Sequence, residues 1–135
     1  MISYNKEDNL SPTEFIEVLQ ASTLAERRPV NDPGRIALMI KNANLIITAR
    51  ENGRLVGVAR SVSDYAYCTY LSDLAVSKQY QKKGIGKELI RITKEHAPNA
   101  KLILLSAPAA VDYYPHIGMK RHEHCYFLDD INEMK

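Results

Sequence analysis

The sequence predicts one mixed α/β (α+β) domain over residues 1–135, with a mostly antiparallel sheet flanked by helices. Three observations predict it. Asn52-Gly53 is a strong hairpin-turn signal between two apolar runs. "KLILLSA" (101–107) is continuously apolar, the pattern of a strand buried on both faces. Between a central strand pattern and an amphipathic helix stands the basic glycine turn "QKKGIGK" (81–87).

The bulk numbers agree with a globular chain. Its 135 residues are 45% hydrophobic and 25% charged, enough for one buried core. A net charge of +2 is too small to imply nucleic-acid binding, and there is no long basic stripe or aromatic-basic interleaving. The N-terminus lacks a signal-peptide pattern, and no apolar stretch approaches a membrane span, so a cytoplasmic location without membrane contact is expected. Cys68 and Cys125 are far apart and accompany no metal pattern; they are expected as buried or half-buried free thiols.

Along the chain, "ISYN" opens as a short strand. Ser11, Pro12 and Glu14 form a capping box before Phe15, Ile16, Val18 and Leu19, predicting a helix. "ERRPVNDPGR" is a loop and "IALMIKNA" a short helix. "LIITAR", the turn "ENG" and "RLVGVARSVS" make the hairpin. "AYCTYLSDLAVS" is a third strand, with Tyr67, Thr69, Leu71 and Asp73 on one alternation. Its period slips at Leu74, Ala75 and Val76, which predicts a bulge or a splayed end. Ile85, Leu89 and Ile92 then recur at helical spacing until Pro98-Asn99. After the buried strand, "PAAVDYYPHIG" is a short helix and "MKRHEHCYFLDD" a final strand.

A turn that opens a helix presents unpaired N–H groups and the positive end of the helix dipole, which suits phosphate oxygens. Gly84 and Gly86 remove side chains that would keep an anion off the backbone, and Lys82, Lys83 and Lys87 add charge. A dinucleotide fingerprint would need glycine where Leu89 stands; a nucleoside-triphosphate loop would need Ser or Thr after Lys87, where Glu88 stands. Taken alone, the turn is equally compatible with a solvated basic corner.

The stretch Gln81-Lys82-Lys83-Gly84-Ile85-Gly86 resembles the signature of the GCN5-related N-acetyltransferase (GNAT) superfamily, Gln/Arg-x-x-Gly-x-Gly/Ala. Downstream, Ala110, Tyr114, Gly118 and Met119 resemble its helix-and-turn segment, at the expected distance. The resemblance covers nearly the whole chain. It implies a GNAT-like sheet with a splayed central strand and an acetyl-CoA-dependent N-acetyltransferase acting on a primary amine.

It also implies residue roles. Gln81, Lys82, Lys83, Gly84, Ile85, Gly86 and Lys87 would hold the coenzyme A pyrophosphate through backbone N–H groups. Leu74, Ala75 and Val76 would pair with the pantetheine arm as a strand does with a sheet edge, one N–H facing the thioester oxygen. Tyr114 occupies the general-acid position, protonating the departing thiolate. Asp73 is the carboxylate candidate for general base, with a hydrogen-bonded strand-end role equally open. Asp112, Tyr113, His116, His122 and His124 are further base candidates with ordinary surface roles beside them. Tyr65, Tyr67 and Tyr70 are candidates to line an acceptor pocket or simply pack on the strand.

Two positions depart from the family pattern. Ala107 stands where an asparagine often contacts the cofactor, and Met119 replaces phenylalanine. The alternative reading is a non-catalytic acyl-CoA-binding module, which has no need of Tyr114. The acceptor is expected to be a small or peptide-like amine, and a homodimer is common in the family.

Overall fold

The structure is a computed structural model describing residues 1–135, in two units: residues 1–105 and residues 106–135. The first unit holds one five-stranded sheet in the order β1-β2-β3-β4-β5. The strands are β1 (Ile2–Lys6), β2 (Leu45–Glu51), β3 (Arg54–Ser63), β4 (Cys68–Val76) and β5 (Lys101–Ile103). β1 to β4 pair antiparallel, and β5 joins β4 in parallel. The mixed, mostly antiparallel sheet with flanking helices is as predicted. No helix is long and apolar enough to cross a membrane.

Local chemistry explains the elements. Helix α1 (Pro12–Ser22) starts where the Ser11 hydroxyl accepts the Glu14 N–H at 3.4 Å. The return half of the predicted box is missing, because the Glu14 carboxylate goes to Arg50 instead. Helix α2 (Pro33–Asn42) is capped by Asp32, which accepts the Arg35 N–H at 3.1 Å. At the β2–β3 hairpin Asn52 and Gly53 both have positive φ, 50° and 82°, the combination a type I′ turn requires.

The sheet is covered on both faces. On one, Phe15 and Leu19 of α1 and Ile36 and Ile40 of α2 pack on Ile46, Val58 and Ala75. On the other, Ile85 and Leu89 of helix α3 (Ile85–His96) pack on Ile47, Ala59 and Leu71. Leu71 and Ala75 lie four residues apart on one strand yet on opposite faces. The cause is a bulge: Asp73 pairs with Arg60 and Leu71 with Ser61, leaving Ser72 as the extra residue of β4.

Four expectations are corrected. The "KLILLSA" run is not buried on both faces: β5 covers three residues, ends the sheet, and leaves Ile103 47% exposed. In the second unit the predicted helix "PAAVDYYPHIG" is a 3-10 turn (Pro108–Ala110) and a single turn, α4 (Tyr113–His116). Its end closes with Gly118 at φ 99° and the Met119 N–H donating to the Tyr114 carbonyl. "MKRHEHCYFLDD" forms no strand, because no ladder partner is in place for it among residues 106–135; Tyr126 and Phe127 are exposed. Cys68 and Cys125 are free as expected, but both are exposed.

Candidate active site

β4 is the strand on which the site is built. β3 pairs with it along its length, from Ser63↔Thr69 to Gly57↔Val76. On its other edge β5 reaches only Cys68, Thr69 and Tyr70. Beyond Tyr70 no strand lies on that edge, so the half containing Leu74, Ala75 and Val76 has unpaired backbone polar groups there. The predicted splay and the predicted bulge are therefore both present.

The free half leads directly into the glycine turn. The Ser77 N–H donates to the Val56 carbonyl at 2.9 Å, and the Gln81 side-chain amide donates to the Val76 carbonyl at 2.9 Å, closing the turn onto the strand end. Lys82 and Gly84 take positive φ, 63° and 82°, which folds the backbone so that α3 starts at Ile85. No side chain caps this helix, and the first amide to find a carbonyl is that of Glu88, bonded to Gly84 at 3.1 Å. The N–H groups of Ile85, Gly86 and Lys87 precede it and have no intrahelical partner. A Cβ added at Gly84 would meet nothing within 4 Å, so the space over the turn is open. An anionic group has room, donors and the helix dipole in one place.

Lys83 lies over the Tyr80 ring, 5.4 Å from its centroid, and the Tyr80 hydroxyl donates to Glu51 at 2.8 Å. That hydrogen bond is the first cause holding the Tyr80 phenol above its ordinary range. Sequence reading had no signal for this link, which orients one of the three lysines.

Asp73 does not have the geometry of a general base. Its side chain is fully buried, and one carboxylate oxygen pairs with Arg28 Nε, the other with Arg60 Nε. Both guanidinium groups were missed, since Arg28 and Arg60 are 45 and 13 residues away. An arginine inside the otherwise apolar run "VGVARSV" was the one available hint. Tyr65, Tyr67 and Tyr70 gather at the start of β4, at the other end of the strand from the glycine turn. The Tyr65 hydroxyl donates to the Asn44 carbonyl at 2.6 Å, and Tyr67 is 81% exposed.

The remaining candidates belong to residues 106–135. Tyr114 is half-buried against Tyr113, ring centroids 5.2 Å apart and edge to face, and burial pushes its phenol pKa up. Asp112, Tyr113 and His116 are exposed in or beside α4. His122 accepts the His124 N–H at 3.0 Å, and both rings are exposed.

Comparison with known proteins places the chain in a family and a fold. Residues 6–132 match the family described as Acetyltransferase (GNAT) domain. An uncharacterized N-acetyltransferase ycf52 of Pyropia yezoensis is 27% identical over 124 residues, 87% of this chain and 68% of that protein. The histone acetyltransferase TAP1 of Glycine max is 27% identical over 70% of this chain, which spans 46% of it. Among solved structures, the GNAT family acetyltransferase SP0256 of Streptococcus pneumoniae superimposes with a TM-score of 0.75. It is 21% identical and is matched over 99% of this chain and 100% of its own. The chain belongs to the GNAT acetyltransferase family, whose members transfer an acetyl group from acetyl-CoA.

Proposed function

We propose that the protein, acting as one domain over residues 1–135, is an N-acetyltransferase that moves the acetyl group of acetyl-CoA to a primary amine of a small or peptide-like acceptor in the cytoplasm. The observation that carries this reading is the continuity of β4's free edge with the uncapped start of α3. A coenzyme A thioester has that shape: an extended arm with amide groups, ending in a diphosphate.

The arm pairs with Leu74, Ala75 and Val76 as an added strand. The diphosphate takes the N–H groups of Ile85, Gly86 and Lys87, with Lys82 and Lys83 supplying charge and Gln81 holding the turn to the strand. One free-edge N–H donates to the thioester oxygen and stabilises the oxyanion when the amine adds. Collapse of that adduct expels the thiolate, which Tyr114 protonates. A phenol raised by burial stays protonated through neutral pH, as a general acid must.

The acceptor enters as an ammonium group with a pKa near ~10.4 and has to lose a proton before attack. With both Asp73 oxygens in ion pairs, we assign that step to solvent reached along the free edge rather than to this carboxylate.

A thiol-release assay with acetyl-CoA against amines, amino sugars, polyamines and short peptides tests the reading. Release stimulated by one acceptor class is expected. Acetyl-CoA binding without release on any amine would overturn the acceptor assignment, and absence of binding would overturn the assignment of the turn.

A further inference from the structure

The buried Asp73 cluster binds more than its own charges. Arg28 Nη2 donates to the Ser72 carbonyl at 2.8 Å, and Arg60 Nη2 donates to the Ser72 hydroxyl at 3.0 Å. Arg60 Nη1 reaches the Met39 carbonyl of α2 at 3.1 Å, and Arg28 Nη1 the Arg27 carbonyl at 2.8 Å. Ser72 is the bulge residue, the one position between Thr69 and Val76 with no partner on β3. Two guanidinium groups thus hold both polar handles of the bulge while Asp73 bridges them.

The position of the bulge sets which way the rest of β4 faces. Before it Leu71 lies on the α3 side; after it Ala75 lies on the α1–α2 side, with Leu74 and Val76 packed toward α3. In a strand, moving the register by one residue inverts every side chain and exchanges inward with outward N–H groups. A bulge can sit at neighbouring positions unless something fixes it.

We propose that Arg28, Asp73 and Arg60 are positioning residues that lock the bulge at Ser72, so that the N–H groups of the free edge point at the thioester. This rests on the reading of that edge as the thioester site. Arg28 follows the 3-10 turn Leu24–Arg27 in the α1–α2 connection, so the clamp also ties that connection to the reacting strand.

Arg28→Lys is the informative variant. It keeps the charge but loses the planar fork that holds Asp73 and Ser72 together. Arg28→Met is the second variant, and both are made in the full chain. The first measurement is amide exchange without ligand for Gly57 to Arg60, opposite the post-bulge half of β4. Exchange at least tenfold faster in the folded variants is expected; wild-type rates would overturn the lock.

The second is the carbon NMR shift of bound acetyl-CoA labelled at its carbonyl, with affinity for plain coenzyme A as control. A carbonyl signal moved back toward that of free acetyl-CoA, with coenzyme A affinity within about threefold of wild type, is the expected result. A wild-type carbonyl shift in a variant with faster exchange would overturn the positioning role. If wild-type protein bound no acetyl-CoA, the thioester reading would fall and the positioning role with it, whatever exchange had shown of the bulge.

Discussion

Gly57→Ala tests how tightly the phosphate-facing helix is seated on the sheet. Gly57 lies on β3 beneath α3, and its backbone is one that alanine adopts without strain. An added Cβ would lie 3.2 Å from Ile85 Cγ2, 3.2 Å from Leu89 Cδ1 and 3.4 Å from Ala49 Cβ. Carbon atoms settle at about 3.5–4.0 Å, so α3 has to retreat by a few tenths of an ångström at its first turns. Overpacking of this kind costs about 1–3 kcal/mol, and replacing a strand glycine returns roughly 0.5–1 kcal/mol. The net loss is about 0–2.5 kcal/mol, with a midpoint of ~1.3 kcal/mol.

With an unfolding entropy near ~2.1 cal/mol/K per residue, a chain of 135 residues loses roughly 3.5 °C of Tm per kcal/mol. The expected fall is about 4–5 °C, and no more than about 9 °C, by thermal denaturation. Because Ile85 opens α3, the same shift moves its N–H groups, and calorimetry is expected to show weaker coenzyme A binding. Leu89→Val shortens one of the crowding side chains, so the double variant regains part of the loss. Wild-type Tm and affinity in Gly57→Ala would refute the reasoning, since the contact would then not be tight.

Three further outcomes follow from single sites. Gly84→Ala meets open space, so its cost is the left-handed backbone alone, about 1–2 kcal/mol; affinity for coenzyme A by calorimetry should fall while the α3 core stays intact. Arg50→Met removes the guanidinium that donates to the carboxylates of both Glu7 and Glu14, pairs made at 2.7–3.1 Å, and should cost about 2 kcal/mol, or roughly 7 °C of Tm. The Arg50 hydrogen bond is the first cause holding the Glu7 carboxyl below its ordinary range, so its stabilisation is complete above the unfolded value near ~4.3 and is lost as pH falls through the lower folded one. The Tm gap between wild type and Arg50→Met should therefore be full at neutral pH and narrow in acid, and a constant gap would count against the assignment. Tyr114→Phe should lower turnover about 10- to 100-fold with acetyl-CoA affinity kept, and should remove the alkaline fall in rate that a phenol raised by burial imposes. Turnover equal to wild type would remove Tyr114 from the mechanism.

Much of the sheet was legible because its signals are local. Asn52-Gly53 needs only its own backbone preferences, and Ser11-Pro12 only its own helix end. The irregularity near Leu74 to Val76 was visible as well, because three consecutive apolar residues break the apolar–polar alternation of the strand just after its bulge. Partners far along the chain were not legible. Nothing around Asp73 announces Arg28 or Arg60, so the sequence could not separate a base from a hydrogen-bonded strand-end aspartate, and the ion-pair cluster favours the second. Strand composition says nothing about whether a ladder partner exists. "KLILLSA" and "CYFL" are both mostly apolar, yet one contributes three paired residues and the other none.

The place of the site follows from topology once β4 and β5 are parallel. A parallel pair requires a crossover, and here α3 supplies it, so the helix must begin beyond the carboxyl end of β4. Its unpaired N–H groups therefore cluster at the end of the strand. The pairing of β4 with β5 stops after Tyr70, six residues short of that end, and so the same strand end is also unpaired along one edge. An extended ligand that adds to this edge runs, by geometry alone, into the helix start. β3 holds the opposite edge through Val76, which keeps the free half rigid enough to act as a template. An antiparallel β5 joined by a hairpin would fill the edge and have no helix start; the two halves of the site exist together because one connection is parallel.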